Sequence, residues 1–110
     1  MSALHRELAA GRWQQMTLIE QMANIGSEVE RVFHWRKKND FEGQTKAFER
    51  ALELIDLTLE SPSNRFRLKE IARTREMFVG IIYGATEYLS SENWLREYFL
   101  QFACALRKNV

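Results

Sequence analysis

One proline, Pro62, interrupts a chain of 110 residues, and only five glycines accompany it. Proline breaks helices and glycine weakens them, so long stretches without either residue favour long continuous helices. No segment shows the strict alternation of apolar and polar residues, bounded by turn signals, that indicates a strand. The sequence therefore predicts an all-α protein, and its length gives room for a single domain with one hydrophobic core.

Capping signals define the first two helices. Thr17 and Glu20 have the spacing of a capping box, which predicts that the first helix begins there. The polar run 37–40 ends it, and Asp40 can cap the next helix after a short, reversing connection. The apolar stripe of the first helix is Leu18, Met22, Ile25, Val29, Val32 and Phe33. The stripe of the second is Phe41, Thr45, Phe48, Leu52, Ile55 and Leu59, with Ala47, Ala51 and Leu54 beside it.

Two further helices follow the tetrapeptide 61–64. Proline suits a first helical turn because it has no amide hydrogen to leave unpaired, so the third helix is expected to begin near Pro62. Gly84 is a plausible left-handed end for it, and Ser90 and Ser91 can cap a fourth helix. The third stripe is Leu68, Ile71, Arg75, Phe78 and Ile82, and the fourth helix holds Trp94, Leu95, Tyr98, Phe99, Phe102 and Leu106.

Helix lengths of about 17 to 21 residues, at about 1.5 Å per residue, predict segments that pack side by side. We therefore expect an antiparallel up-down four-helix bundle over residues 17–110. An N-terminal arm, with or without a short helix, is expected over residues 1–16.

The inventory of reactive side chains argues against an enzyme. The chain has two histidines, His5 and His34, and one cysteine, so neither a helical di-iron site nor a zinc cluster can be assembled. No glycine-rich phosphate loop occurs. Cys104 has apolar neighbours, which predicts a buried and inert thiol. We expect no catalytic residues, no cofactor, no metal and no small-molecule substrate.

Two polar positions inside helices need a structural reason. Gly26 interrupts the first helix, and either a helix of the same bundle or a helix of another subunit gains from its small size. In the second case Glu28 and Arg31 would fix the register by paired charges. Arg75 stands in an apolar stripe and therefore needs an acidic partner or a functional pocket. Its candidate partners are Glu28, Glu49, Glu53 and Asp56.

Charge is nearly balanced, with 16 Lys and Arg against 15 Asp and Glu, but it is unevenly placed. Arg65, Lys69 and Arg73 recur every four residues and line one helix edge. Arg36 and Lys37 form a second basic group beside Trp35. Such an edge either contacts a nucleic-acid backbone, with Trp35 or Phe66 stacking on bases, or pairs with the acidic second helix. The sequence leaves both interpretations open.

Several segments resemble a group of short all-α bacterial and archaeal proteins of unassigned function. They are Met16-Thr17-Leu18, Glu20-Gln21, Asn24-Ile25-Gly26-Ser27-Glu28-Val29, Arg31, Trp35-Arg36, Ala47-Phe48, Arg50-Ala51-Leu52-Glu53-Leu54, Asp56-Leu57-Thr58 and Tyr98-Phe99. In size and architecture alone, the chain also resembles the four-helix accessory proteins of diversity-generating retroelements. Those proteins form oligomeric barrels and bind a reverse transcriptase and its template RNA. This likeness implies an oligomer or a nucleic-acid partner.

An aromatic surplus of seven Phe, three Trp and three Tyr points to protein association, since a small four-helix core does not bury them all. We expect a cytoplasmic, non-enzymatic module that binds itself, another protein, or both. The interface candidates are Trp13, Gly26, Glu28, Arg31, Trp35, Tyr83, Tyr88 and Trp94. The alternative is a nucleic-acid-associated accessory subunit that uses Arg36, Lys37, Arg65, Lys69 and Arg73. The longest apolar run, 77–83, is too short to span a membrane.

Overall fold

Four antiparallel helices in up-down order make up the bundle, in a computed structural model that describes residues 11–84 and 91–108. They are α1 (Leu18–Lys37), α2 (Phe41–Leu59), α3 (Leu68–Ile82) and α4 (Glu92–Lys108). Within the described ranges there is no strand, and no helix there is long and apolar enough to cross a membrane. α1 packs extensively on α2 and on α4, whereas α3 makes smaller contacts with α2 and α4.

Three predicted helix ends are confirmed, the start of α1, the start of α2 and the end of α3. The Glu20 amide donates to the Thr17 hydroxyl at 3.1 Å, and the Thr17 amide donates to Glu20 Oε1 at 2.9 Å. These bonds lower the pKa of the Glu20 carboxyl. Asp40 Oδ1 accepts from the Gly43 amide at 2.9 Å and so caps α2. Gly84 follows α3 with φ of 74°, in the left-handed region that the terminator role requires.

α3 begins later than the sequence indicates. Helical structure does start at Pro62, but as a 3₁₀ helix (Pro62–Arg67), and the α-helix follows only from Leu68. α3 therefore has 15 residues, fewer than expected. A 3₁₀ segment rises about 2.0 Å per residue, so it covers the length that the shorter α-helix leaves.

The predicted stripe of α1 lies in the core, but the stripe of α2 is rotated from its expected position. Phe41 and Thr45 are exposed, whereas Phe48 and Ile55 of the predicted stripe are buried together with the flanking Ala47, Ala51 and Leu54. The buried apolar residues are Trp13, Met22, Ile25, Val29, Val32, Phe33, Ala47, Phe48, Ala51, Leu54, Ile55, Leu57, Ile71, Phe78, Ile81, Leu95, Tyr98, Phe99 and Phe102. Small side chains on α2 permit a close approach to α1, so the buried face is centred nearer to these flanking residues than to the large apolar stripe.

The stripe of α3 is rotated as well. Its buried residues are Ile71, Thr74, Phe78 and Ile81, so Arg75 lies at the edge of the core. There its Nε donates to Asp56 Oδ1 at 2.8 Å, which identifies Asp56 as the partner among the four predicted candidates. Both side chains remain partly exposed, so the pair sits at the boundary between the two helices.

Trp13 was expected at an interface, but the structure places it in the core with 1% of its surface exposed. It belongs to a 3₁₀ helix (Trp13–Gln15) that precedes α1. Its indole Nε1 donates to Thr58 Oγ1 at 3.0 Å, and Gln21 Nε2 donates to its carbonyl at 2.9 Å. The bundle core therefore includes a residue from the segment predicted to be an arm.

A buried polar network continues from Trp13 across the same end of the bundle. Asn64 Nδ2 donates to Gln21 Oε1 at 2.9 Å and to the Thr58 carbonyl at 3.1 Å. The Thr58 hydroxyl donates in turn to the Leu54 carbonyl at 2.8 Å. Each side chain in this network is at least nine-tenths buried, and together they join both 3₁₀ helices to α1 and α2.

Cys104 is exposed, contrary to the prediction of a buried thiol. The core face of α4 runs through Leu95, Phe99 and Phe102. At about 100° per residue, position 104 lies about 200° around the helix from Phe102, which turns its side chain away from the core. Its apolar neighbours in sequence are not its neighbours in space.

Candidate functional site

Gly26 faces α4 of the same chain, as the first of the two interpretations predicts. A Cβ at this position would lie 3.0 Å from Phe99 Cβ, closer than side chains tolerate without a shift. Its absence lets α1 and α4 approach closely. Phe99 fills the space directly over Gly26, so the small size of this residue serves packing within one chain.

Beyond that close approach, α1 and α4 leave a groove of about 620 Å³ between them. Small side chains form much of its lining, because Ala23, Ser27 and Ala103 are too short to fill the space. We call this the α1–α4 groove, and its lining residues are Ala23, Gly26, Ser27, Glu30, Asn93, Arg96, Glu97, Phe99, Leu100, Ala103 and Arg107.

Glu30 and Arg96 link the two helices at the groove. Arg96 Nε and one terminal nitrogen donate to the two oxygens of Glu30, both at 2.9 Å. These bonds raise the pKa of the Arg96 guanidinium, which also lies 5.7 Å from the centre of the Phe33 ring. A two-point bond of this kind fixes orientation as well as distance. It sets the spacing between the helices at this level.

Leu100 is the one large apolar side chain at this groove that is mostly in solvent, with 54% of its surface exposed. Sequence analysis did not single it out, because it falls outside the core stripe of α4. A signal for it does exist. Positions 93, 97, 100, 104 and 107 form a second stripe at steps of four and three, and Leu100 and Cys104 are at its centre.

Glu28 and Arg31 pair with each other within α1. One terminal nitrogen of Arg31 lies 2.6 Å from Glu28 Oε1, and the Glu28 side chain is only 12% exposed. The other Glu28 oxygen is buried and has no hydrogen-bond partner in the described part of the chain. Within the described chain their charges therefore pair inside one helix.

The Trp35 ring packs on α2, where Gly43 makes room for it. A Cβ at Gly43 would come within 2.9 Å of the ring, so the contact depends on glycine at this position. Sequence analysis missed Gly43, since nothing in its neighbours indicates a packed ring. Trp35 is half-buried and also meets the His34 ring edge-on at 4.9 Å.

The remaining candidates at this end of the bundle differ in exposure. Arg36 donates to the Ile81 carbonyl at 3.5 Å and so reaches the last turn of α3, while Lys37 is exposed. Tyr83 is 77% exposed, and its ring meets Phe48 edge-on at 5.9 Å. Tyr88, another interface candidate, lies outside the described residues.

A second groove, of about 470 Å³, lies between α3 and α4. We call it the α3–α4 groove, and its lining residues are Lys69, Glu70, Arg73, Thr74, Met77, Trp94 and Tyr98. Trp94 is half exposed and stacks on Tyr98, with ring centres 5.3 Å apart and planes within 12°. Burial first, and then the charge of Glu70, raises the pKa of Tyr98 to about 12. The phenol therefore stays neutral at physiological pH.

The basic edge of α3 continues from this groove. In the described part of the chain, Arg65, Lys69 and Arg73 form no ion pair with α2 or any other element. The Arg65 guanidinium lies over the exposed Phe66 ring at 4.7 Å. Arg75, which faces the other way, pairs with Asp56 on the acidic helix. The edge therefore presents its charges to solvent.

Among the described residues no group of three or more His, Cys, Asp and Glu side chains is placed to hold a metal ion. Comparisons of the chain with protein-family models, with curated proteins and with solved structures give no match.

Proposed function

We propose that this chain is a non-enzymatic helical module that acts through protein association, and that it associates with itself. One observation carries the proposal: Leu100 is exposed at the rim of the α1–α4 groove, where small side chains leave space beside it. A single exposed leucine is ordinary, but an exposed leucine next to an unfilled groove is the arrangement that a partner's side chains can cover.

Large exposed side chains elsewhere support the same function. Phe41 and Tyr83 are each about three-quarters exposed, although aromatic rings are the residues that interfaces most often bury. They lie at the end of the bundle where α2 begins and α3 ends. Their exposure fits a module that meets a partner at more than one surface.

Sedimentation velocity and light scattering from about 1 to 200 μM test self-association. We expect an average mass above that of the monomer at the upper concentrations. Leu100→Arg should return the protein to a monomer, whereas the control Thr45→Arg, at an exposed position of α2, should leave the mass unchanged. A monomer at every concentration, with circular dichroism confirming the fold, would overturn self-association.

A second function has its own supporting observation, in the α3–α4 groove. Trp94, stacked on Tyr98, lines the groove together with Lys69 and Arg73, which form no ion pair in the described part of the chain. An exposed ring beside free cations is the combination that binds single-stranded nucleic acid, where stacking contributes about 1–3 kcal/mol per base. The architectural resemblance to retroelement accessory proteins points to the same class of partner.

Anisotropy with a labelled single-stranded RNA and DNA at low salt tests this second function. The variant Lys69→Ala/Arg73→Ala should weaken binding and reduce the salt slope by about 1.4, or about 0.7 per lost phosphate contact. The control Lys46→Ala/Arg50→Ala removes the same charge from α2 and should leave the slope unchanged. If the two double variants behave alike, the basic edge does not form a site.

A further inference from the structure

We infer that the partner of the α1–α4 groove is a second copy of this chain, packed with its α4 antiparallel to the first. This inference rests on the proposed self-association and adds the geometry of the interface. It follows from the order of side chains along the outward face of α4 and from the charges at its two ends.

The outward face of α4 has the spacing of a two-helix seam. Positions 97, 100, 104 and 107 alternate steps of three and four, the repeat that keeps one face of a helix against a partner helix. Leu100 and Cys104, both exposed, form the apolar centre of this seam. Glu97 precedes the centre and Arg107 follows it, so the two ends of the seam carry opposite charges.

That order is self-complementary only when the helices run in opposite directions. With a two-fold axis at the level of residue 102, Leu100 of one copy faces Cys104 of the other. The same axis brings Glu97 of one copy opposite Arg107 of the other, twice over. A parallel pair would instead place Glu97 on Glu97 and Arg107 on Arg107, and like charges directly opposed disfavour association.

The charges involved are not used elsewhere in the described part of the chain. Neither Glu97 nor Arg107 forms an ion pair there. The antiparallel register also brings Arg96 near Lys108 of the second copy, but the Glu30 carboxylate already neutralises Arg96. The register therefore leaves two attractive pairs without an uncompensated repulsive one.

The α1–α4 groove lets the two copies interdigitate at this seam. It lies beside Leu100, and Ala23 and Ala103 leave it unfilled, so Leu100 of the second copy can enter it instead of resting on a flat surface. The contact is centred on two 17-residue helices and is smaller than a standard interface of about 1,600 Å². We therefore expect a weak dimer that forms at micromolar concentration.

Charge reversal tests this register by sedimentation equilibrium. Glu97→Arg and Arg107→Glu should each raise the dimer dissociation constant about tenfold, because both symmetric pairs change from attraction to repulsion. The double variant Glu97→Arg/Arg107→Glu should restore the wild-type constant. Glu49→Arg, an exposed reversal on α2, is the matched control and should change nothing.

A cysteine experiment provides an independent readout of the same geometry. Mixing wild-type chain, whose one thiol is Cys104, with the Leu100→Cys/Cys104→Ser variant should form mixed disulfide dimers under mild oxidation. Each chain oxidised alone should crosslink more slowly, because identical positions are displaced about 6 Å along the axis.

The outcomes separate the two proposals. A wild-type protein that stays monomeric at all concentrations overturns both self-association and this geometry. A wild-type dimer whose constant is not restored by the double reversal, and which forms no mixed disulfide, overturns the antiparallel α4 contact alone. Self-association through another surface would then remain.

Discussion

Replacing Thr58 by valine tests whether the buried polar network stabilises the bundle or merely fills it. Valine has nearly the shape of threonine, so no cavity forms and the hydroxyl is the only group lost. The Thr58 carbonyl still accepts from Asn64, and the Leu54 carbonyl keeps its helical hydrogen bond. The change therefore removes two hydrogen bonds, the bond of 3.0 Å from the Trp13 indole and the bond of 2.8 Å to the Leu54 carbonyl, and only the first loss leaves a buried group without a partner.

Thr58→Val leaves the Trp13 indole N–H with no acceptor at a place that water does not reach, since Trp13 is 1% exposed and Thr58 is 0% exposed. A buried donor without a partner costs about 1–3 kcal/mol. For a domain of this size, each kcal/mol lowers the melting temperature by about 4–8 °C. We expect Thr58→Val to melt at least about 4 °C below the wild type.

Urea unfolding followed by circular dichroism measures this loss. Thr45→Val is the matched control, because it makes the same chemical change at an exposed position of the same helix and should alter the free energy of unfolding by under about 0.5 kcal/mol. In a Trp13→Phe background, which has no indole N–H, Thr58→Val should cost at least about 1 kcal/mol less. Equal losses for Thr58→Val and Thr45→Val would refute the reasoning.

Three other substitutions test contacts elsewhere in the bundle. Gly43→Ala should lower the free energy of unfolding in urea by about 1–3 kcal/mol, because the added Cβ meets the rigid Trp35 ring and this outweighs the better helix propensity of alanine. A more stable variant would contradict this packing. Asp56→Asn should cost less than about 1 kcal/mol, since its ion pair with Arg75 is partly exposed, and a larger loss would show that the pair specifies the bundle. The pKa of Tyr98 is about 10 in the unfolded chain and about 12 in the fold, so its stabilising contribution is complete below pH 10 and is lost as pH rises toward 12. Tyr98→Phe should therefore reduce the fall of the urea midpoint between pH 10 and 12. A fall as steep as that of the wild type would count against the burial argument.

The sequence was sufficient for the class of fold, the number of helices and most of their ends. This success has a local cause, because caps act within a few residues of chain. The Thr17 and Glu20 bonds, the Asp40 cap and the left-handed Gly84 all depend on neighbours that the sequence displays in order. Local chemistry of this kind does not depend on how the helices pack.

The buried faces of α2 and α3 could not be predicted from local sequence in the same way. Periodicity shows that a helix has an apolar face, but it fixes the direction of that face around the helix axis only to within about one residue. Large apolar side chains bias the predicted direction. Phe41 drew the predicted face of α2 toward solvent, while the buried face includes the flanking Ala47 and Ala51 as well as Phe48 and Ile55 of the predicted stripe. Arg75 was placed in the α3 core for the same reason, although Thr74 takes that position.

The polar network at Trp13 was unpredictable for a different reason. Its members are 43 to 45 positions apart in pairs such as Trp13 with Thr58 and Gln21 with Asn64. No local pattern connects these pairs, and the polar members Gln21, Thr58 and Asn64 are of residue types that are mostly found at the surface. Only the folded chain shows that they satisfy one another in the core.

Gly26 was interpreted either as a site of close packing within one chain or as part of an interface, and the small residues around it bear on both interpretations. Gly26 brings α1 against Phe99, which uses the small residue within one chain. Yet Ala23, about one turn before Gly26, Ser27, the residue after it, and Ala103 on α4 are also small, so the helices meet at Phe99 and leave the α1–α4 groove open beyond it. A helix in a bundle needs one apolar face toward the core. Beside the α1–α4 groove, α4 also has an exposed stripe centred on Leu100. The close approach at Gly26 and the exposed surface next to it therefore arise from the same small side chains, which is why we expect substitutions at Gly26 to perturb the fold and substitutions at Leu100 to perturb only the proposed association.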